Sequence, residues 1–225
     1  MAVPTSRAEL ADLLCTFLEV SIHTILHARR LYPATLFEQR AAFRCLAWMS
    51  RSPEVTECIC ELLDSIRELL LAGAAEALTI ALLPVGGAGP FLEAYTFALT
   101  IDAPRVAGTR ATYADLEASF GSAIVALQSI ESTRAPLPLG ATWTAVLATH
   151  EEALGVDATA GGAGAAIDAQ TPTPWARIDI ADDLGTLSAP FTASTPRAAR
   201  RPIKCVRASS LSIDVSLIEG AREGP

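Results

Sequence analysis

The stretch Ser6 to Pro33, SRAELADLLCTFLEVSIHTILHARRLYP, constrains this chain most, because one helical period runs through it unbroken and both ends carry boundary signals. Ser6 with Glu9 three residues on is a capping box, and Pro33 forbids continuation past Tyr32. Between them Leu10, Leu13, Leu14, Phe17 and Leu18 follow the i, i+3, i+4, i+7, i+8 spacing. Ile22, Ile25 and Leu26 continue the stripe, and Cys15 and Val20 widen it. A stripe that wide needs cover on more than one side. At about 1.5 Å per residue the helix spans roughly 35–40 Å, the width of a small domain, so it is expected to lie across a sheet as the spine of the core.

The 225 residues, 51% hydrophobic and 19% charged, suffice for one domain with its own core. A net charge of -8 opposes a broad grip on phosphate backbones, which needs clustered Lys and Arg, so no direct nucleic-acid contact is expected. The amino terminus, MAVPTSRAELAD, is charged where a secretory leader needs its apolar run. The five cysteines, Cys15, Cys45, Cys58, Cys60 and Cys205, are then expected as free thiols in a reducing compartment. The apolar region Leu69 to Leu92 is broken by Glu76, Pro84 and Gly86-Gly87. It offers no run near the roughly 20 residues of a membrane span, and a soluble cytosolic or nuclear protein is expected.

After Pro33 a short connection passes Phe37 and Arg40, and Phe43 to Met49 alternates as a strand. Ser52-Pro53 marks a capping hydroxyl before a proline at the first helical position. Val55, Cys58, Ile59, Leu62, Leu63, Ile66 and Leu70 then hold helical spacing up to Gly73. Ala77 to Leu83 and Phe91 to Ile101 read as a hairpin joined by turn formers. Thr112 with Asp115 opens a third helix carrying Leu116, Phe120, Ala123, Ile124, Leu127 and Ile130 on one face, and Thr142 to Thr149 is a strand. From His150 to Pro174 the chain is mostly Ala, Gly, Thr and Asp, and Ala181 to Arg201 is again loop-like. Lys204 to Ala208 and Leu211 to Ile218 are the last strands. The layout predicts an α+β domain with a mainly antiparallel sheet, and the long loop points to function in the last third.

Catalytic and metal motifs are incomplete. His150-Glu151-Glu152 lacks the second histidine of a zinc-protease helix, since position 154 is Leu154. Cys58-x-Cys60 has no second ligand pair, and Cys58 falls on the apolar stripe, which predicts a buried thiol. Gly161-Gly162-Ala163-Gly164 has neither a strand before it nor the G-K-[ST] of a phosphate loop. His23 and His27 stand one helical turn apart with no third ligand nearby in sequence, so packed or solvated histidines are expected. No catalytic, cofactor or metal residue is assigned, and an enzyme is disfavoured.

Ile22-His23-x-Ile25-Leu26-x-x-Arg29-x-Leu31-Tyr32-Pro33, followed by Phe37 and Arg40, resembles the opening signature of the HORMA domain. Leu14-Cys15-x-Phe17-Leu18-Glu19-Val20 and Met49-Ser50-x-x-Pro53-Glu54-Val55 are similar to one branch, the non-catalytic HORMA subunits of translesion DNA polymerase zeta. Further matches are Thr142-x-Thr144-x-Val146-Leu147, Glu151-Glu152-Ala153, Pro174-Trp175 and Pro202-x-Lys204. The resemblance is densest up to Val55 and thinnest from Val156 to Thr173.

The resemblance implies a HORMA fold: three helices on a mainly antiparallel sheet, with a C-terminal safety belt that closes over a bound peptide. One domain over residues 1–218 is expected, with a core at 6–149, belt and terminal strands at 150–218, and a tail at 219–225. Implied partners are the catalytic subunit of polymerase zeta, held through a proline-containing linear motif, a translesion scaffold polymerase and an AAA+ remodeller. The nucleus is the implied location. Trp175, Cys58, Val55 and Trp143 are the implied peptide contacts, with core packing the plain alternative for Trp175 and Cys58 standing where the family has a tyrosine. Pro202, Lys204, Asp214 and Ser216 are the implied scaffold-polymerase surface, of which Asp214 and Ser216 depart from the family's glutamine and tyrosine. The family's self-association arginine falls at Gly121 and its acidic partner at Arg30, so no homodimer by that route is expected. The rivals are a spindle-checkpoint or meiotic HORMA adaptor, and a small enzyme using the long loop as a lid.

Overall fold

A computed structural model describes residues 6–87, 91–101, 113–149, 200–207 and 211–220. Helix α1 (Arg7–Ala28) begins as its sequence requires, with the Ser6 hydroxyl accepting from the Glu9 amide at 3.1 Å and the Glu9 carboxylate accepting from the Ser6 amide at 3.2 Å. It ends four residues before Tyr32, because Arg30 turns left-handed at φ 55°. The Arg30 amide then donates to the His27 carbonyl and the Leu31 amide to the Leu26 carbonyl. That is a Schellman close made without glycine, so it stops the helix before Pro33 can.

The amino-terminal half of α1 buries a stripe, whereas from Val20 to Leu26 every residue is buried. Three of these are polar, and two of them, Ser21 and Thr24, find a partner within the helix. The Ser21 hydroxyl donates to the Phe17 carbonyl and the Thr24 hydroxyl to that of Val20, both at 2.7 Å. By length and composition α1 could cross a membrane, yet two thirds of its apolar window is covered by the rest of the fold. It packs between helix α2 (Pro53–Ala72) and helix α3 (Tyr113–Gln128), and Phe17 stacks on Phe120 at 4.5 Å with edge contacts to Phe43 and Phe97.

The segment read as a connection is strand β1 (Phe37–Ala42), paired antiparallel with β2 (Cys45–Ser50) in a separate two-stranded sheet. Phe43 is therefore not in the strand. It forms, with Arg44, a two-residue turn with positive φ at both positions, 46° and 59°. Asn-Gly is the usual signal for such a turn, and its absence hid the hairpin.

The α2 start also departs from expectation. Ser52 makes no side-chain cap, and the Ser50 hydroxyl accepts from the Ser52 amide instead. Gly73 closes α2 at φ 76° as expected. Helix α3 stops at Gln128, and Ile130 lies in the separate short helix α4 (Ile130–Thr133). Thr112 lies outside the described residues.

Strands β3 (Ala75–Leu83), β4 (Glu93–Ile101), β5 (Thr142–Thr149), β6 (Arg200–Arg207) and β7 (Leu211–Glu219) form one antiparallel sheet in the order β5-β3-β4-β7-β6. β6 starts at Arg200, not Lys204, and β7 takes in Glu219. Leu78, Ile80 and Leu82, Tyr95, Phe97 and Leu99, and Ile213, Val215 and Leu217 alternate onto the helix side and complete the core. β5 and the β6–β7 hairpin thus occupy opposite ends of the sheet, and residues 150–199 connect them.

Candidate functional site

A groove of about 430 Å³ runs between α2 and β5. The helical stripe puts Val55 and Leu62 on its floor, both buried, and Glu54, Cys58 and Glu61 on the exposed wall. Thr142, Trp143, Thr144 and Ala145 of β5 form the opposite side, and Tyr32 closes one part. The half-buried indole of Trp143 donates from Nε1 to the Tyr32 hydroxyl at 3.0 Å, which fixes both rings against the groove. Among the described residues β5 pairs only with β3, so its outer row of amides and carbonyls faces no strand. An extended chain added there would meet main-chain hydrogen-bonding groups along its backbone and the groove with its side chains.

Three of the four expected peptide contacts, Val55, Cys58 and Trp143, therefore meet in one groove. Cys58 is exposed, not a buried thiol, because its position faces β5 where the α2 stripe meets open space instead of core. Trp175, like His150-Glu151-Glu152 and Gly161 to Gly164, lies outside the described residues. Tyr32, Glu54 and Glu61 are not among the peptide contacts expected from sequence, although Tyr32 and Glu54 fall within the family signatures. The i, i+4, i+7 spacing of Glu54, Cys58 and Glu61 was the signal available for the two carboxylates.

The four expected scaffold-polymerase residues lie on the β6–β7 hairpin. Pro202 pairs with Ser216, and Asp214 stands opposite Cys205, so three of them share the sheet face away from the helices. A bulge at Ile203 puts Lys204 opposite Val215, out of step with the other three.

The α1 histidines and the shifted thiols outside the groove take their titration behaviour chiefly from burial. His23 is buried, accepts at Nδ1 from the Ser50 amide at 3.3 Å, and is pushed down to about 4 by burial and then by Arg40. His27 stacks on Trp48 at 4.2 Å, and burial lowers its pKa. Burial, with Asp12, raises the Cys15 thiol to about 11, and burial likewise raises Cys45, Cys60 and Cys205. Raised thiols are poor nucleophiles at neutral pH. Among the described residues no group of three His, Cys, Asp or Glu side chains could hold a metal. All five cysteines are free.

These features define a class first: an α+β domain with three main helices on an antiparallel sheet, a strand edge and a side-chain groove beside it. The HORMA domain family model matches residues 11–132, more than half of the chain, and the chain belongs to that family. Mitotic spindle assembly checkpoint protein MAD2B of Homo sapiens is 27% identical over 148 residues, covering 64% of this chain and 67% of its own length. The DNA polymerase zeta processivity subunit of Schizosaccharomyces pombe is 39% identical over 72 residues, 32% of this chain and 34% of its own. A chain of the mitotic checkpoint complex superposes with a TM-score of 0.66 at 14% identity, covering 94% of this chain and 99% of that one. Caenorhabditis elegans HTP-2 bound to the HIM-3 closure motif gives 0.63 at 13% identity, covering 96% and 92%. At such identities the structures establish the shared fold.

Proposed function

We propose that this chain is a non-catalytic HORMA adaptor of DNA polymerase zeta that captures a proline-containing linear motif of the catalytic subunit and supports translesion synthesis in the nucleus. The observation that carries the reading is the groove itself, in which Val55, Cys58 and Trp143 meet beside the outer edge of β5. The similarity to the DNA polymerase zeta processivity subunit of Schizosaccharomyces pombe supports the polymerase as partner, and the HTP-2 complex supports a closure motif as the kind of ligand. Residues 150–199 are the belt in this reading. They join opposite ends of a five-stranded sheet, a span of about 20 Å at some 4.8 Å per strand, which a few extended residues would cover. The remainder is chain enough to cross a bound strand, with Trp175 as its lid. The domain then covers residues 1–218. Pro202, Lys204, Asp214 and Ser216 are a scaffold-polymerase surface, an AAA+ remodeller opens the belt, and DNA is not contacted directly.

Co-purification of the tagged chain from cells with damaged DNA, followed by mass spectrometry, tests the reading. The catalytic subunit of polymerase zeta should be recovered, and Trp143→Ala and Trp175→Ala should each weaken its motif by about 2 kcal/mol, roughly thirtyfold. Recovery of spindle-checkpoint or meiotic-axis proteins in its place would assign the chain to that other HORMA role.

A further inference from the structure

The groove has a charge pattern that its apolar floor does not explain. Glu54, Cys58 and Glu61 stand at i, i+4 and i+7 on the wall of α2, so an uncharged centre is flanked by a carboxylate on either side along the helix. Both carboxylates are exposed, and neither makes a hydrogen bond or ion pair among the described residues. No lysine or arginine lines the groove among those residues, and the Arg51 guanidinium, just before α2, is bonded to the Thr35 carbonyl. Glu54 lies in the first turn of α2. Glu57 is exposed on the same helix and adds to the field, in a chain whose formal charge is -8.

We infer that the groove between α2 and β5 selects an extended segment in which an apolar residue is flanked by lysine or arginine. The apolar side chain rests on Val55, Leu62 and Trp143, while its basic neighbours reach Glu54 and Glu61. The two carboxylates are two helical turns apart, about 10.5 Å along the axis, a distance an extended chain covers in about three residues. Basic residues on both sides of one apolar anchor can therefore be served together. A bound acidic segment would instead place like charges together at a partly desolvated rim, which is unfavourable. The inference rests on the groove being the peptide site, and it adds the charge of the captured segment.

Selection of a phage-displayed random peptide library on the full chain, and on its Glu54→Gln/Glu61→Gln variant, tests it. Both side chains are exposed and unpaired, so the variant should unfold at the same temperature as the parent. The parent should enrich peptides with an apolar residue flanked by Lys or Arg. The variant should keep the apolar preference and lose the basic one. A synthetic copy of the leading peptide should bind the variant about threefold to tenfold more weakly. Replacing its basic residues by norleucine should weaken binding to the parent by a similar factor and leave binding to the variant unchanged. Neutral or acidic peptides that compete for the groove would overturn the inference while leaving the groove as the peptide site. Failure to enrich any peptide that Trp143→Ala weakens would overturn both.

Discussion

His23 shows how one buried side chain links packing to pH. Its Nδ1 accepts from the Ser50 amide, a role open only to neutral imidazole at that nitrogen, and burial with Arg40 holds its pKa at about 4. The unfolded chain takes up the same proton near pH 6.5. Between pH 6.5 and 4 the unfolded state therefore binds more protons, and stability must fall as the pH drops through that window. At pH 5 the loss from this residue is about 2 kcal/mol, rising to about 3 kcal/mol near pH 4. Urea denaturation at pH 7.5 and pH 5 should show it. His23→Gln, which lacks the titrating group, should be less stable at pH 7.5 and should lose about 2 kcal/mol less between the two pH values.

At the scale of elements, the β1–β2 hairpin is the part the sequence hid, and Gly121 explains how it is held. A Cβ at Gly121 would overlap the carbonyl oxygen of Phe43, so α3 and the turn touch backbone to backbone. The Phe43 ring meanwhile packs edge-on against Phe17 and Phe120. Tertiary packing thus holds Phe43 and Arg44 at positive φ, a strained choice for side chains with a Cβ. Gly121→Ala should cost about 1–3 kcal/mol through overpacking, whereas Arg44→Gly, at an exposed position, should stabilise by about 1 kcal/mol. Thermal denaturation of the two variants should move the melting temperature in opposite directions. The α1, α2 and hairpin β3–β4 signals were local, being caps, stripes and turn formers, and they were legible in sequence. β1 was not, because its turn is imposed by Gly121 from far along the chain. Val55, Cys58 and Trp143 came from family resemblance, and only the fold shows that they share a groove with Tyr32.

Across the whole molecule, separate parts of the chain converge on charges at one end of the sheet. Arg29, just past α1, forms two bonds to Glu93 at the start of β4, at 2.8 Å and 3.0 Å, and donates to the Ala135 carbonyl ahead of β5 at 2.7 Å. The Tyr95 hydroxyl donates to the same carboxylate at 2.7 Å, and burial followed by the charge of Glu93 raises the phenol's pKa. Glu219, opposite Glu93 in the β4–β7 register, pairs with Arg134 and with Arg201, and the Gly220 amide closes on the Leu92 carbonyl. The terminal hairpin is thereby tied to the same end of the core as the spine helix. The Arg29–Glu93 pair, with side chains only 3% and 8% exposed, is the part of this array whose loss leaves a charge stranded out of water. Arg29→Met should cost about 3–5 kcal/mol, since Glu93 would keep only the Tyr95 hydroxyl. Arg201→Met should cost less than about 1 kcal/mol, because its side chain is 73% exposed. Adding Glu93→Leu to Arg29→Met should recover part of the loss, since the stranded charge goes with it. Denaturant titration of the single and double variants gives the coupling energy directly. A loss for Arg29→Met no greater than that for Arg201→Met would mean that the apolar core holds this end of the sheet without the ion pair.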